Sequence, residues 1–334
     1  MVKALILGGA GFIGYHLARR LVADAQYQVT LFDNFSRGPN DAELEELLTE
    51  NSNLKLLTGD LTGFSAFGQL DERFDEIYLF ASVVGVGNVQ ADPTNVIRTN
   101  SLIILNTLEW VSQIGCGRLL FSSSSETYAG AVESGLAEIP TAESAPVVLM
   151  DIQHPRSTYA LTKMLGESAV THYSRSYGFE AVITRYHNVY GPRMGFSHVI
   201  PELMERITQG IDPLPVYGMN QTRAFCYVSD AVEASLALMR CKLDGCEIVH
   251  VGNDREEIRV RDLLEMILRA EDSHLSVEEL PAPTASIDRR CPDISKLRIM
   301  TGFEPSVNIE QGLNLTLDWY RSALQGQTNP VGPR

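Results

Sequence analysis

The chain has 334 residues, which is enough to bury a full hydrophobic core in one large domain or two closely packed ones. Its formal net charge of −15 at pH 7 argues against nucleic acid as a partner, because phosphates would be repelled and no basic patch interrupts the acidic character. No stretch approaches a membrane span of roughly twenty apolar residues, and five scattered cysteines favour reduced thiols, so we expect a cytoplasmic protein without membrane contact.

The first predicted unit is a strand, a glycine-rich turn and a helix. An apolar strand over 3–7 precedes a helix over 12–25, and three spaced glycines join them: Gly8, Gly11 and Gly14. Glycine lets the backbone approach an anion closely, and the helix start offers free N–H groups and a positive dipole end. Asp33 ends a second strand over 28–32, about twenty residues after the last glycine, where an acid can hold a ribose diol. The pattern predicts a dinucleotide site of the Rossmann type.

Strands and helices then alternate through the next hundred residues. The predicted elements are a helix over 41–50, strands over 54–58, 76–81 and 118–122, and a helix over 93–114. This alternation predicts a parallel, doubly wound α/β sheet with right-handed crossovers. Four of its strands end in small or polar residues: Gly8, Asp33, Asp60 and the Ala81-Ser82 pair. Because the carboxyl ends of parallel strands share one edge, we expect one ligand to lie across all four.

The second half of the chain has a looser pattern. Residues 131–153 carry few regular signals and predict a long excursion over the active-site side. Later predicted elements are helices over 156–177, 199–210, 229–240, 259–270 and 309–324, with strands over 180–185, 214–217 and 248–251. We therefore expect a dinucleotide-binding Rossmann domain over 1–190, to which late segments return, and a smaller α/β substrate domain over 191–325.

Tyr159 and Lys163 lie one helical turn apart on the same face of the predicted helix. A nearby ammonium favours the phenolate, so we expect a lowered pKa that makes Tyr159 a base near neutral pH. The spacing alone also occurs in ordinary exposed helices. Two further motifs favour catalysis: a serine run over 122–125, which offers a hydroxyl to the reacting alcohol, and the segment Asn188-Val189-Tyr190-Gly191-Pro192 at the next strand end.

With these motifs the chain resembles the extended short-chain dehydrogenase/reductases, and among them the NAD-dependent epimerase/dehydratase family of nucleotide-sugar enzymes. The resemblance extends from Ala4 to about Tyr320. It implies transient oxidation of the sugar C4 by hydride transfer to tightly held NAD, with Tyr159 taking the hydroxyl proton. It also implies a nucleotide-diphosphate sugar as substrate, with a UDP-sugar favoured, and a homodimer formed through the long helices over 93–114 and 156–177.

The resemblance implies cofactor contacts for residues of the Rossmann half. They are Gly8, Gly11, Phe12, Ile13, Gly14, Asp33, Asn34, Arg37, Asp60, Leu61, Ala81, Ser82, Tyr159 and Lys163. Asp33 matches the acid that holds the adenosine ribose, which favours NAD over NADP. Arg37 could accept a 2′-phosphate, but we still expect NAD. Lys163 is expected to bind the nicotinamide ribose.

The resemblance also implies catalytic and substrate-binding positions. The catalytic set is Ser124, Glu126, Tyr159 and Lys163, and the substrate-binding set is Ser125, Asn188, Arg193, Val199, Tyr217, Arg223 and Arg290. Within the second set, Asn188 and Arg223 match diphosphate contacts, and Arg290 resembles a further phosphate or ribose contact. No group of His, Asp or Glu has metal-ligand spacing, so we expect no metal.

Glu126 bears on which reaction follows C4 oxidation. In many 4-epimerases of the family the matching position is apolar or small, whereas the 4,6-dehydratases and UDP-glucuronate decarboxylases carry a glutamate close to C5 and C6. A buried carboxylate is costly unless it has a function. We therefore expect Glu126 to assist dehydration, decarboxylation or epimerisation at C5 or C6 of an NDP-hexose or NDP-hexuronate. Capping of a nearby backbone group is the structural alternative.

No single subfamily of these enzymes matches this sequence at every motif. Ser125 replaces the aspartate of the dTDP-glucose dehydratases, the motif over 221–230 resembles the decarboxylases, and the loop over 83–87 resembles uronate and sugar epimerases. Ala129 also separates Tyr128 from a glycine that usually follows directly, which predicts a non-standard pocket. A simple UDP-sugar 4-epimerase without a role for Glu126 is the close alternative. An NADP-dependent ketone reductase and a non-catalytic NAD-binding regulator are remote ones.

Overall fold

The computed structural model describes residues 1–37, 41–196, 198–282 and 286–325. Its strands are β1 Val2–Leu7, β2 Tyr27–Asp33, β3 Leu54–Thr58, β4 Phe74–Leu79, β5 Cys116–Ser124, β6 Glu180–Tyr186, β7 Val189–Tyr190, β8 Leu214–Tyr217, β9 Thr222–Ala224, β10 Cys226–Tyr227, β11 Cys246–Val251, β12 Glu257–Arg259, β13 Val277–Leu280 and β14 Arg289–Arg290. Seven of them form one parallel sheet in the order β11-β6-β5-β4-β1-β2-β3. The predicted doubly wound α/β fold is confirmed.

Helices cover both faces of this sheet. They are α1 Phe12–Val22, α2 Ala42–Glu50, α3 Val86–Ala91, α4 Pro93–Ile114, α5 Ala129–Glu133, α6 Ser157–Tyr177, α7 Val199–Thr208, α8 Val228–Arg240, α9 Val260–Ala270, α10 Ser295–Thr301 and α11 Ile309–Gln325. Two 3₁₀ turns lie at Phe64–Gln69 and Ser125–Tyr128. None of the helices that the described ranges contain is both long and apolar enough to cross a bilayer.

Alternating residues of β1 show how the two faces are covered. Ala4 and Ile6 join the core that contains α1 and α8, whereas Leu5 and Leu7 join the core that contains α4 and α6. All four side chains are fully buried. A strand that is buried on both faces is typical of a parallel sheet covered by helices, which explains why β1 reads as a continuous apolar run.

The later part of the chain contributes to the main sheet and also builds smaller ones. Strand β11 pairs with β6 at one edge of the main sheet, as expected for a late segment that returns to the Rossmann part. Shorter sheets pair β8 with β13, β7 with β10, and β9 with β12 and β14. Leu203, Leu263 and Leu317 from α7, α9 and α11 join the same core as α1. The boundary that we place near residue 190 therefore separates two expected functions, because one hydrophobic core continues across it.

The excursion over 131–153 packs on its own first residues and is hydrogen-bonded near its middle to a later part of the chain. A Cβ on Gly130 would lie 2.4 Å from the Val148 carbonyl oxygen, so glycine allows the chain to pack closely there. The Thr141 N–H donates to the Cys291 carbonyl at 2.9 Å, and the Asp293 N–H donates to the Thr141 carbonyl at 2.8 Å. These contacts place the excursion beside β14, which carries Arg290.

Candidate active site

The turn between β1 and α1 leaves room for an anion. Gly8 has φ +84°, and a Cβ there would lie 2.6 Å from the Ala81 backbone nitrogen. A Cβ on Gly14 would lie 2.3 Å from the Gly8 carbonyl oxygen, so neither position accepts a side chain. Gly11 precedes α1, and no side chain in the described ranges caps that helix, so the first N–H groups at Phe12 and Ile13 stay available. This geometry fits the pyrophosphate of a dinucleotide.

Asp33 is fixed next to this turn. Its Oδ2 accepts a hydrogen bond from the Ala10 N–H and its Oδ1 accepts one from the Phe35 N–H, both at 2.9 Å. The carboxylate is therefore oriented at the carboxyl end of β2 before any ligand binds. Asn34 follows it in an exposed position, where its side chain accepts from the Ser36 N–H at 3.0 Å. Together with the open glycine turn, this fixed acid fits the adenosine half of NAD.

The other predicted cofactor residues lie along the same edge. Asp60 is exposed and accepts from the Thr62 N–H at 2.9 Å, while Leu61 is buried beneath it. The Ala81 N–H donates to the Leu7 carbonyl at 2.8 Å, which places Ala81 and Ser82 directly beside the glycine turn. Arg37 extends from the Asp33 loop towards the later segment near Gly195, where a Cβ would lie 2.8 Å from its Nη2.

The three residues expected to carry out hydride chemistry meet where β5 ends against α6. Tyr159 lies within hydrogen-bonding reach of Ser124. Lys163 is 3% exposed, and its Nζ donates to the Ser122 carbonyl at 2.7 Å. The Lys163 Nζ also lies 5.6 Å from the centre of the Tyr159 ring. The structure therefore brings together a hydroxyl, a phenol and an ammonium that the sequence separates by about forty residues.

The expected lowering of the Tyr159 pKa is wrong for this structure. Burial raises the pKa of Tyr159 above its ordinary value of 10, and the hydrogen bond with Ser124 only partly opposes this. Burial likewise lowers the pKa of Lys163 to about 7, although Glu167 acts in the opposite direction. Desolvation dominates both pKa shifts because both groups are enclosed.

Glu126 binds two guanidinium groups. Its Oε1 accepts hydrogen bonds from Arg156 Nη2 at 3.0 Å and from Arg290 Nη1 at 2.8 Å. The side chain is 18% exposed, and burial alone would raise its pKa, but Arg290 and Arg156 lower the pKa to about 2. The carboxylate therefore stays ionised and interacts with cations, which differs from the backbone capping considered as an alternative. The Glu126 N–H is itself capped by Ser124 Oγ at 3.2 Å.

Positive charge exceeds negative charge around Glu126. Strand β14 pairs with β9 so that Arg290 lies beside Arg223. Arg290 also reaches Ser125 Oγ at 3.3 Å, while its Nε and Nη2 are buried and make no hydrogen bond within the described ranges. Burial, with Arg290 and Arg156 nearby, lowers the pKa of Arg223 to about 10. Three guanidinium groups therefore lie near two carboxylates, Glu126 and Asp288, and this excess of positive charge favours an anionic ligand.

Other predicted substrate residues lie apart from this cluster. Arg193 forms ion pairs with Asp41 at 2.8 Å and Glu43 at 3.0 Å, and its guanidinium lies 3.9 Å from the centre of the Tyr15 ring. It therefore joins the substrate loop to the start of α2. The Asn188 amide donates to the Ala224 carbonyl at 3.1 Å. The remaining two positions are Val199, the first residue of α7, and Tyr217, which is exposed at the end of β8.

Two residues near the site were not assigned a role from sequence. Arg156 precedes Tyr159 by three positions, a spacing that places both on one side of a helix start and could have indicated it. Glu167 follows Lys163 by four positions, and the same periodicity could have found it. The pairing of Arg290 with Glu126 had no local signal, since 164 positions separate them.

Comparisons with known proteins agree with this geometry. Residues 4–252 match the model of the NAD dependent epimerase/dehydratase family. The chain is 34% identical over 329 residues to UDP-N-acetyl-alpha-D-glucosaminuronate decarboxylase of Bacillus cytotoxicus, covering 96% of this chain and 98% of that protein. It is 32% identical to UDP-glucuronic acid decarboxylase 1 of Xenopus tropicalis, covering 98% and 74%. The solved dTDP-glucose 4,6-dehydratase of Streptomyces venezuelae, with NAD bound, superposes with a TM-score of 0.85 at 26% identity, covering 98% and 99%.

Proposed function

The chain belongs to the NAD-dependent epimerase/dehydratase family and is thus an NAD-dependent enzyme of the extended short-chain dehydrogenase/reductase type. From this premise we propose that it decarboxylates a UDP-hexuronate after transient oxidation at C4. The 4,6-dehydratase and epimerase reactions share the first step, so the Rossmann half does not discriminate among them. The observation that carries the proposal is the group of three arginines near Glu126, above all the buried Nε and Nη2 of Arg290, which have no hydrogen-bond partner among the residues that the structure describes.

An anionic sugar matches these charges better than a neutral one. Arg223 lies beside Arg290 on neighbouring strands, so the diphosphate and a C6 carboxylate of one substrate could each reach a guanidinium. Carboxylates bind such donors with charge-assisted hydrogen bonds. A neutral hexose would leave the Arg290 Nε and Nη2 groups buried with no partner from the described part of the chain, which costs free energy. The decarboxylases among the relatives act on uronates by name, which is consistent with this assignment.

Ser124, Tyr159 and Lys163 would serve the oxidation step. NAD, when bound, would supply the hydride acceptor for this oxidation and the hydride for the final reduction. Tyr159 takes the proton of the C4 hydroxyl, and Ser124 hydrogen-bonds both that phenol and the reacting oxygen. Because burial raises the pKa of Tyr159, the proton transfer depends on this hydroxyl contact and on the nearby Lys163 ammonium. The product of the step is a ketone at C4.

The residues around Glu126 would serve the second step. A C6 carboxylate is β to the new C4 ketone, so the C5–C6 bond can break, with its electron pair passing to the C4 oxygen as carbon dioxide leaves. Glu126, held ionised by its two arginines, lies next to the substrate carboxylate and repels it. Loss of neutral carbon dioxide relieves that repulsion. Arg290 and Ser125 orient the group that departs, and C5 then takes up a proton.

The test is incubation of the NAD-loaded protein in deuterium oxide with UDP-glucuronate and UDP-N-acetylglucosaminuronate. We expect loss of carbon dioxide and deuterium at C5 from at least one of them, and no turnover of UDP-glucose or GDP-mannose. A C4 epimer without deuterium at C5 would favour the simple 4-epimerase instead. Net consumption of the cofactor would favour a ketone reductase, and bound NAD without turnover of any sugar nucleotide would favour a regulatory protein.

A homodimer through α4 and α6 is part of the same proposal. The two helices pack on each other and leave four apolar side chains exposed on their outer side: Ile97, Leu105, Leu161 and Leu165. Burying this surface against a second copy would remove apolar area from water. Sedimentation analysis of the full chain should give twice the mass of one copy, and a Leu161→Asp variant should sediment as a monomer.

A further inference from the structure

The helix α6 carries a third polar side chain on the face that holds Tyr159 and Lys163. Glu167 follows Lys163 by one helical turn, so the three residues form a row along the helix. Glu167 is 6% exposed and lies in the interior of the molecule. The hydride chemistry described above makes no direct use of it, and an ionised carboxylate at such depth needs compensation.

The Glu167 carboxylate is fully engaged by neighbours on β5 and β6. Its Oε1 accepts from Ser123 Oγ at 2.5 Å and from Arg185 Nε at 2.8 Å, and its Oε2 accepts from Arg185 Nη2 at 2.7 Å. Arg185 is 2% exposed, so this is a buried, two-point ion pair. The pair fixes the carboxylate in place and leaves no oxygen without a hydrogen bond.

Lys163 is bound to the residue next to Ser123. Its Nζ donates to the Ser122 carbonyl. Strand β5 therefore binds Lys163 through the backbone of Ser122 and Glu167 through the side chain of Ser123. The close approach of helix and strand depends on Gly166, where a Cβ would lie 2.2 Å from Cζ of Phe121. The Lys163 Nζ lies 5.1 Å from the centre of that same ring.

The groups facing the Lys163 ammonium come from three elements. Helix α6 contributes the Tyr159 phenol and the Glu167 carboxylate, β5 contributes a neutral carbonyl and the Phe121 ring, and β6 contributes Arg185, whose charge is taken up by Glu167. Glu126 and Arg37 act on the phenol instead. Among the residues that the structure describes, Glu167 is the charged group that acts on this ammonium.

We propose that Glu167 is a positioning residue that keeps the buried Lys163 protonated without binding it. Because Ser123 and Arg185 saturate the carboxylate, Glu167 attracts the ammonium but does not draw it away from the Ser122 carbonyl. An ammonium has three donors, of which this carbonyl uses one, so two remain for the hydroxyls of a bound ribose. The inference rests on the proposed function only in assigning Lys163 to the cofactor.

The ammonium can be titrated directly in the full chain without substrate. The sequence contains five lysines, so protein labelled with [ε-¹³C]lysine gives few NMR signals, and a Lys163→Arg variant identifies the one of interest. In the unaltered protein we expect that signal to titrate with a midpoint near 7. In Glu167→Gln the midpoint should fall by about one pH unit, because the opposite charge is lost.

Glu76→Gln is a matched control. Glu76 is also a buried glutamate, and it accepts hydrogen bonds from the hydroxyls of Tyr27 at 3.3 Å and Tyr78 at 2.6 Å. Both tyrosines belong to the core on the face of the sheet opposite to α6. Its replacement should leave the Lys163 midpoint unchanged. A Lys163 midpoint that is the same in Glu167→Gln and in the unaltered protein would overturn the proposal.

A second variant covers the case in which Glu167→Gln fails to fold. The double variant Glu167→Gln with Arg185→Gln removes both charges and leaves two amides that can hydrogen-bond to each other. If the Glu167 carboxylate outweighs Arg185 at the ammonium, the Lys163 midpoint in the double variant stays below that of the unaltered protein. A return to the original midpoint would show that the ion pair has no net effect on the ammonium, and it would overturn the proposal. No sugar nucleotide is present in this titration, so failure of the decarboxylase proposal would not affect its outcome.

Discussion

Replacement of Glu126 by glutamine separates the two steps proposed for this enzyme. The amide has the shape of the carboxylate but leaves Arg156 and Arg290 without their shared counter-charge. The difference between the ordinary carboxyl pKa of 4.5 and about 2 in the folded protein corresponds to about 3 kcal/mol. This agrees with the roughly 3–5 kcal/mol lost when one member of a buried ion pair is removed. We therefore expect the free energy of unfolding of Glu126→Gln at pH 7 to be about 3 kcal/mol lower than that of the unaltered protein.

The sign of the pH dependence follows from the lowered pKa. The unfolded state binds the proton first as pH falls, so the contribution of Glu126 is complete above about 4.5 and decreases towards about 2. Urea unfolding of both proteins between pH 7 and 4 should give a constant difference down to about pH 5 and a smaller one below. Glu133→Gln, an exposed glutamate on α5, is the control and should match the unaltered protein throughout.

The same variant should retain C4 oxidation and lose cleavage of the C5–C6 bond. With UDP-glucuronate we expect NADH absorbance to appear as before, because Ser124, Tyr159 and Lys163 are unchanged. Release of carbon dioxide should fall by about 100-fold, because the ground-state repulsion that is lost with the Glu126 charge is worth roughly 1–5 kcal/mol. Unchanged carbon dioxide release together with unchanged stability would refute the role of Glu126.

Three further predictions concern the framework. Arg193→Met should lower the unfolding free energy, measured in urea, by about 1 kcal/mol, because the two acids that it pairs with are partly exposed to water. The substrate KM should stay unchanged, and a raised KM without lost stability would support a role for Arg193 in the substrate site. Gly166→Ala should lower the free energy of unfolding by about 1–3 kcal/mol, because the added methyl group meets the Phe121 ring. Phe121→Leu should reduce this loss in a double-mutant cycle, whereas additive effects would contradict the contact. His187 and His250 are buried with pKa values below 6.5, so the free energy of unfolding should fall by about 1.4 kcal/mol per histidine for each pH unit below 6.5. His187→Phe should make this pH dependence less steep. Equal slopes in the variant and the unaltered protein would show that His187 does not contribute to it.

The parts of the site that were predictable depend on local sequence. The turn from Gly8 to Gly14 and the acid Asp33 were found because strand, glycine spacing and helix follow one another directly in the chain. The row of Tyr159 and Lys163 was found because helical periodicity fixes the relation of residues four apart. Such relations need no knowledge of tertiary structure.

The relations that failed or were missed depend on distant parts of the chain. The pairing of Arg290 with Glu126 requires β14 to join β9 after the main sheet has formed. The ion pairs of Arg193 with the acids at the start of α2 likewise had no local signal in the sequence, while its expected role in substrate binding stays a prediction. The Tyr159 pKa was misjudged because attraction between neighbours is visible in sequence whereas desolvation is not. Burial is a property of the assembled fold, and it decided the sign of that shift.

This division between local and distant relations also bears on the choice of reaction. The residues for C4 oxidation come from β5 and α6, which pack together within the Rossmann part. The arginines that we propose distinguish an acidic sugar from a neutral one, Arg223 and Arg290, lie on β9 and β14. A substitution in those two strands can therefore change which sugar is accepted without altering the hydride step. Arg290→Met should then abolish turnover of a uronate yet leave NAD binding intact, whereas loss of NAD binding in that variant would show that the two parts are not separable.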